Sequence, residues 1–146
     1  MTDPTAALAR RVERLEAASE IPRLSADYCR GADHRDLDLF LSVWSEDGVW
    51  QVRDDLAFSG LEQIRDAILH QWETSLRAFH WTSNPSIVLS ADGLSAQARF
   101  DVQSQVELLD LSWMSLAGSY NDLYVRRGDH WKLGKRAAEV HAQRTT

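Results

Sequence analysis

The chain has 146 residues, 44% of them hydrophobic and 26% charged, a composition typical of a globular protein. We predict one domain over residues 1–146, because no repeat, low-complexity tract or linker divides the sequence. The formal net charge of −6 argues against a nucleic-acid partner, since phosphate contacts need clustered lysine and arginine. The single cysteine, Cys29, excludes an internal disulfide. No stretch resembles a signal peptide or a membrane span, which predicts a cytoplasmic protein without a membrane partner.

The first part of the sequence has the apolar spacing of helices. Residues 5–18 favour a helix, because leucine and valine recur three and four positions apart. Pro22 suits either the first turn of a second helix or the continuation of the helix after a break, and Gly31 is the expected stop. A further helix is predicted from Leu37 to Trp44, followed by a turn over residues 46–48.

A short strand and another helix are expected next. Residues 49–52 are typical of a strand, and a polar turn follows them. Ser59 and Glu62 have the spacing of a capping box, which predicts a helix start. The apolar face of this helix would extend from Leu61 to Trp72.

From residue 78 onward apolar and polar residues alternate, which is the period of β-strands. Strands are predicted over residues 79–89, 95–108, 113–127 and 131–141, with turns at 91–93 and 128–129. Helices followed by a run of antiparallel strands indicate an α+β fold, with the helices on one face of a curved sheet.

Asp33 and His80 are the first candidates for acid–base chemistry. Alternation puts His80, Thr82 and Asn84 on one strand face, where a histidine is either a satisfied core imidazole or a general base. Asp36 is the better N-cap for the following helix, so Asp33 is either a turn residue or the partner that orients His80. Only the fold can bring these two residues together.

The sequence contains little evidence for a catalytic nucleophile, a phosphate-binding loop or a metal site. There is no nucleophile elbow or glycine-rich phosphate loop, and the histidines lack metal-ligand spacing, so we expect no cofactor and no metal. Tyr28 is either a core residue or a site residue whose hydroxyl binds a substrate oxygen. Arg136 is either a surface residue or a buried group that needs a carboxylate or an anionic leaving group. Six tryptophans stand out, and a share of them could line an apolar pocket.

Several short motifs occur in an order that resembles a known family. They are Tyr28-x4-Asp33-x2-Asp36 leading into Phe40 and Trp44, Glu46-Asp47-Gly48-Val49-Trp50, His80-Trp81-Thr82-Ser83-Asn84, and Gly118-Ser119-Tyr120-x-Asp122. Their order resembles the SnoaL-like branch of the nuclear-transport-factor-2-like superfamily, and within it the scytalone dehydratase and hexachlorocyclohexane dehydrochlorinase group. The resemblance implies a cone-shaped barrel, with N-terminal helices packed on one face of a curved mixed or antiparallel sheet.

The resemblance also implies a site. His80 would be the catalytic base and Asp33 its partner, with Trp50 in the pocket and Arg136 near the end of the last strand. The predicted substrate-binding set is completed by Tyr28, Asn84, Ser119 and Asn121. The expected activity is that of a cofactor-independent lyase, which removes water or halide from a small hydrophobic ring substrate.

Two alternatives stay open at this stage. The same pair of residues could serve an isomerase or a polyketide cyclase, since both begin with proton abstraction. The chain could instead be a non-catalytic ligand-binding or assembly subunit, like the small subunit of ring-hydroxylating dioxygenases. A homo-oligomer is expected because the helices leave one apolar sheet face uncovered, and the resemblance implies that it is a trimer or a dimer.

Overall fold

The chain begins with one long helix. In the computed structural model, which describes residues 3–146, helix α1 spans Pro4–His34 and is capped by the Asp3 side chain. The helical segments predicted before and after Pro22 therefore form a single helix. The carbonyl group that loses its helical donor to Pro22 belongs to Ala18, an exposed residue, so water can replace the missing bond.

Gly31, the expected helix stop, lies inside α1. The helix ends instead at Arg35, whose left-handed backbone (φ 55) turns the chain and donates its N–H to the Gly31 carbonyl. A Cβ atom on Gly31 would lie 2.6 Å from the backbone nitrogen of Phe40. Glycine is thus needed for the close approach of α1 and the next helix, α2 (Leu37–Ser42).

Helix α2 is shorter than predicted. Asp36 caps it as expected, by accepting a hydrogen bond from the backbone N–H of Leu39 at 2.9 Å. Trp44 is already the first residue of strand β1 (Trp44–Arg53), and the predicted turn over residues 46–48 lies within that strand. Pairing with the last strand overrides the local turn preference, and a register shift accommodates the segment.

A hairpin and a third helix follow. Strand β2 (Leu56–Ser59), which was not predicted, pairs with β1, and α3 spans Gly60–Glu73. Ser59 occupies the N-cap position of α3, but its hydroxyl makes no capping bond. Gln63, not Glu62, accepts a hydrogen bond from the Ser59 N–H, at 3.0 Å. The capping-box prediction is therefore wrong in its details, although the helix start is confirmed.

Four long strands complete the sheet. They are β3 (Ser75–Leu89), β4 (Ser95–Leu108), β5 (Trp113–Arg127) and β6 (His130–Thr145). The six strands lie in the order β2-β1-β6-β5-β4-β3, with β1 and β6 parallel and all other neighbours antiparallel. The sheet is curved and mixed, and helices pack on one side of it, here called the inner face. Strands β2 and β3 are the two edges of an open sheet, so the predicted α+β architecture is confirmed but the sheet does not close into a barrel.

The core lies between the inner face and the helices, and much of it is aromatic. Its buried aromatic residues are Tyr28, Phe40, Trp44, Trp50, Phe100, Tyr120, Tyr124 and Trp131. The indole of Trp72 donates to the carbonyl of Ala32 at 2.9 Å and so ties α3 to α1. Trp81, by contrast, is 55% exposed on the opposite, outer face of the sheet. The tryptophans are thus divided between core and surface.

Candidate active site

Asp33 and His80 meet where the end of α1 crosses β3. Asp33 lies in the last turn of α1, and His80 is on the inner face of β3. One carboxylate oxygen of Asp33 lies 2.5 Å from Nδ1 of His80, and the other accepts the backbone N–H of His80 at 2.8 Å. The two side chains are 14% and 12% exposed, respectively. The structure therefore brings together two residues that are 47 positions apart in the sequence.

This geometry determines how the imidazole can react. An ionised carboxylate only accepts hydrogen bonds, so the Nδ1 of His80 carries the proton that it shares with Asp33. The other ring nitrogen, Nε2, then has a free lone pair and can take a proton. Because Asp33 is also held by the backbone N–H, it cannot swing away without losing two bonds. The arrangement thus fixes the orientation of the imidazole and leaves Nε2 as its proton-accepting nitrogen.

A second buried pair, Arg136 and Asp122, lies deeper on the inner face. These residues are opposite each other on β6 and β5, and both side chains are fully buried. Nε of Arg136 donates to one carboxylate oxygen at 3.0 Å and Nη2 to the other at 2.7 Å. Burial by itself lowers the pKa of the Arg136 guanidinium, but Asp122, Tyr124 and Tyr120 together raise it by more, so the pKa lies well above its usual value. Of the two interpretations of Arg136 that the sequence left open, a buried residue with a carboxylate partner is the correct one.

Sequence reasoning did not single out Asp122. A signal was present, since it stands between Tyr120 and Tyr124 at the inward positions of an alternating strand. An acidic residue at such a position needs a buried partner. The hydroxyl of Tyr124 supplies a further bond to it, at 3.1 Å.

Arg136 is linked to the strand that carries His80. Its Nη2 donates to the hydroxyl of Ser25 at 3.0 Å, and Ser25 in turn donates to Thr82 at 3.4 Å. Nη1 of Arg136 is buried and has no hydrogen-bond partner within residues 3–146. The guanidinium carbon lies 4.3 Å from the ring centre of Tyr28 and 4.0 Å from that of Tyr120. A row of polar side chains therefore extends inward from the strand that carries His80 to the guanidinium of Arg136. The Nη1 group of that guanidinium makes no hydrogen bond to the described residues.

Tyr28, Trp50 and Cys29 surround these groups. Tyr28 and Trp50 pack edge to face with their ring centres 6.2 Å apart, and both are buried. Burial raises the pKa of Tyr28 far above its usual range. Burial likewise raises the pKa of Cys29 to about 11, so its thiol is protonated near neutral pH and does not act as a nucleophile.

Three predicted site residues lie on the outer face of the sheet, away from Asp33 and His80. A register shift between Ser83 and Ser86 turns Asn84 (φ 52) outward, where its amide donates to Asp101 at 2.8 Å. Asn121 is exposed, and Ser119, although buried, contacts His141 at 3.5 Å on the outer side. Asn84, Ser119 and Asn121 are therefore removed from the candidate site. Thr82 and Asp122 are added to it.

Surface grooves lie elsewhere on the molecule. Two grooves of about 760 and 750 Å³ are lined mainly by the N-terminal part of α1, the start of β6 and the junction of α2 with β1, and neither includes Asp33 or His80. Within residues 3–146, no group of three His, Cys, Asp or Glu side chains is placed to hold a metal ion. In the same part of the chain, no helix is long and apolar enough to cross a membrane.

Solved structures share this α+β fold at low identity. A hexachlorocyclohexane dehydrochlorinase, LinA type 2, has a TM-score of 0.87 and 21% identity, with 93% of each chain covered. LinA type 3 from Novosphingobium barchaimii has a TM-score of 0.86 and 22% identity, covering 93% of this chain and 94% of its own. A proposed scytalone dehydratase from Novosphingobium aromaticivorans gives 0.84 and 18%, covering 92% and 90%. Similarity at this level shows the fold.

The sequence assigns the family within that fold. Residues 13–137 match the SnoaL-like domain, so the chain belongs to the SnoaL-like domain family. The comparison with curated proteins found no match.

Proposed function

We propose that the protein is a cofactor-independent lyase that acts on a small hydrophobic ring substrate. The observation that carries this proposal is the double hydrogen bond between Asp33 and His80, which leaves Nε2 of the imidazole as a base. The backbone N–H of His80 fixes the Asp33 carboxylate, and that carboxylate in turn orients the ring through Nδ1. The similarity of the fold to dehydrochlorinases and to a proposed dehydratase supports the same class of reaction.

The proposed reaction is an elimination. His80 removes a proton from the substrate through Nε2, and Asp33 stabilises the imidazolium that forms. A hydroxyl or halide leaves from the neighbouring carbon, and the electron pair of the broken C–H bond forms the new double bond. The unused Nη1 edge of Arg136 and the hydroxyl of Tyr28 are the groups proposed to steady the departing group. Trp50 would form part of the apolar wall.

Replacement of His80 or Asp33 tests this proposal. A screen of halogenated and hydroxylated ring compounds, followed by halide release or product absorbance, first identifies a substrate. His80→Asn and Asp33→Asn are then expected to lower kcat/KM by about 10²–10⁴-fold, the usual contribution of a general base. His34→Ala, next to Asp33 but exposed at the helix end, is the matched control and should keep wild-type activity. Wild-type turnover by His80→Asn would rule the mechanism out.

An isomerase or cyclase would use the same base. In that case the proton taken by His80 returns to another position of the product, and no water or halide is released. The His80→Asn variant would be inactive there too, so the products of the screen, rather than the variants, distinguish the two reactions.

A non-catalytic binding subunit is the second candidate, and one observation favours it. Tyr28, Tyr120 and Trp50 pack closely beside Arg136, and the grooves of about 760 and 750 Å³ do not include His80. Ligand binding without turnover, unchanged by His80→Asn, would support this function over that of a lyase.

We also propose that the protein forms a homo-oligomer, a trimer or a dimer, through the outer face of the sheet. Phe79, Trp81 and Trp113 form an aromatic stack there, with neighbouring ring centres 6.3 Å apart. Phe79 and Trp81 are 40% and 55% exposed. Both signs of charge border the stack, for example in the Arg77–Glu107 ion pair, which suits contact with an identical surface.

A further inference from the structure

The N-terminal half of α1, residues 4–16, carries an apolar stripe that its own core does not cover. Leu8, Val12 and Leu15 are 58%, 44% and 71% exposed. Their spacing of four and then three residues places them on one side of the helix. The first fully buried residue of α1 is Ala17, so the packing of the helix against its own sheet begins only after the stripe. Such a stripe is typical of a surface that a partner covers.

A groove runs beside the stripe. It has a volume of about 760 Å³ and is lined by Val12 and Leu15 of the stripe, together with Leu24 and Trp131. Its polar lining includes both acidic and basic groups, among them Glu16, Glu20, Arg23 and Lys132. The groove and the stripe share Val12 and Leu15, so the two form one continuous surface.

The stripe has the sequence pattern of a parallel helix pair. With Val12 at position a of a heptad, Leu8 and Leu15 fall at position d. A β-branched residue at a with leucine at d favours parallel two-stranded packing. Pro22 occupies the next d position, so the apolar contact between the two helices is short. It ends where α1 begins to pack against the core of its own chain.

Charges beside the stripe favour the same orientation. Arg11 falls at position g and Glu16 at position e, and in a parallel pair a g residue faces an e residue of the other helix five positions further on. Arg11 of each copy would thus face Glu16 of the other copy, twice by symmetry. In an antiparallel pair, the side of each helix that carries Glu13, Glu16 and Glu20 would instead face the same side of the other helix. The like charges would then repel each other.

We propose that the N-terminal half of α1 is a docking surface for the same segment of a second copy of this chain, with the two helices parallel about a two-fold axis. This surface is separate from the outer face of the sheet, and it does not depend on the activity proposed above. Two sets of variants test it, one for the orientation of the helices and one for the strength of the contact.

Disulfide trapping tests the orientation. In a Cys29→Ala background, Leu8→Cys is expected to form covalent dimers on mild oxidation, because position d meets its own counterpart in a parallel pair. Leu109→Cys, an equally exposed leucine (60%) in the turn after β4, is the matched control and should stay monomeric on a non-reducing gel. Mixed dimers formed between Leu8→Cys and Ser19→Cys proteins, without Leu8→Cys homodimers, would overturn the parallel arrangement.

Sedimentation equilibrium tests the contact itself. In a Trp81→Glu background, which removes the outer-face contact, the protein should still dimerise and Leu15→Glu should make it monomeric. Arg11→Glu should weaken dimerisation roughly two- to tenfold, and adding Glu16→Arg should restore it, as expected for two exposed ion pairs. Circular dichroism confirms that each variant folds. Monomers in the Trp81→Glu background, or binding of the stripe to anionic lipid vesicles while the protein stays monomeric, would overturn the proposal.

Discussion

Asp33 stands at an electrostatically unfavourable position, in the last turn of α1. A carboxylate near a helix C-terminus is disfavoured by about 0.3–1 kcal/mol, because the helix dipole is negative there. The two hydrogen bonds from His80 offset this cost. Asp33 therefore bonds to His80 rather than capping α2, whose N-cap is Asp36.

The tyrosines predict how the protein responds to alkaline pH. All three, Tyr28, Tyr120 and Tyr124, are buried, and burial raises the pKa of each phenol well above its usual value of 10.0. An unfolded chain ionises these phenols near that value, whereas the folded chain keeps them neutral. Their contribution to stability is therefore complete below pH 10 and is lost as the pH rises above it, by roughly 1.4 kcal/mol per pH unit for each phenol.

Spectrophotometric titration checks this prediction. Tyrosinate absorbance should stay absent as the pH of the native protein is raised past 10 and should then appear together with the loss of circular dichroism. In guanidinium chloride the same absorbance should follow an ordinary titration curve. Gradual ionisation of a protein that remains folded would contradict the burial of the tyrosines.

Among the elements, the junction of α1 and α2 positions the candidate site. The chain turns at Arg35, and Gly31 lets the backbone of α2 approach α1 two residues before Asp33. The guanidinium of Arg35 also donates to the carbonyl of Ser75 at 2.7 Å, at the start of the strand that carries His80. The end of α1 is thereby fixed both to α2 and to β3.

Gly31→Ala tests the importance of this junction. Alanine favours the helix itself, but its Cβ would lie 2.6 Å from the Phe40 nitrogen, so the helices must separate. We expect a net loss of about 1–3 kcal/mol in the free energy of unfolding, as for other overpacked sites. Urea denaturation measures this loss. Ser19→Ala, on the exposed side of the same helix, is the control and should change stability by less than about 0.5 kcal/mol.

Strand register decides which side chains share a face. In β3 the inward alternation through Ala78, His80 and Thr82 is interrupted at Ser83–Ser86 and resumes at Ile87. A one-residue change of register moves every later side chain to the other face. Simple alternation therefore predicted the correct face for Thr82 but the wrong face for Asn84.

For the whole molecule, the outer face of the sheet predicts an assembly. Trp81→Glu places a charge within the exposed aromatic stack, so it is expected to reduce the number of subunits, because a charge at an interface core must be desolvated. Sedimentation equilibrium of wild type and variant measures the change. Leu109→Glu, equally apolar and exposed but in a turn, should leave the assembly unchanged. Equal effects of the two variants would argue against an interface at the stack.

The family and the α+β architecture were predictable from sequence, because they depend on information that is local in the chain. The 3.6-residue period of the α3 segment and the two-residue period of β4 and β5 identify elements without knowledge of their neighbours. Motif order extended this to the SnoaL-like family, which the match over residues 13–137 confirms. Errors occurred where a distant contact overrides a local preference, as in the segment at residues 46–48 that joins β1.

The site itself was decided by the tertiary structure. Asp33 and His80 became a hydrogen-bonded pair because α1 ends against β3, and Arg136 gained Asp122 because β5 and β6 pair in a register that puts the two side by side. The residues around Asp122 indicate that it needs a buried partner, but the local sequence identifies the partner in neither pair, since each contact depends on the docking or register of whole elements. Sequence alone therefore determined most of the elements and the family, while the packing of α1 on the sheet and the strand registers determined which side chains can act together.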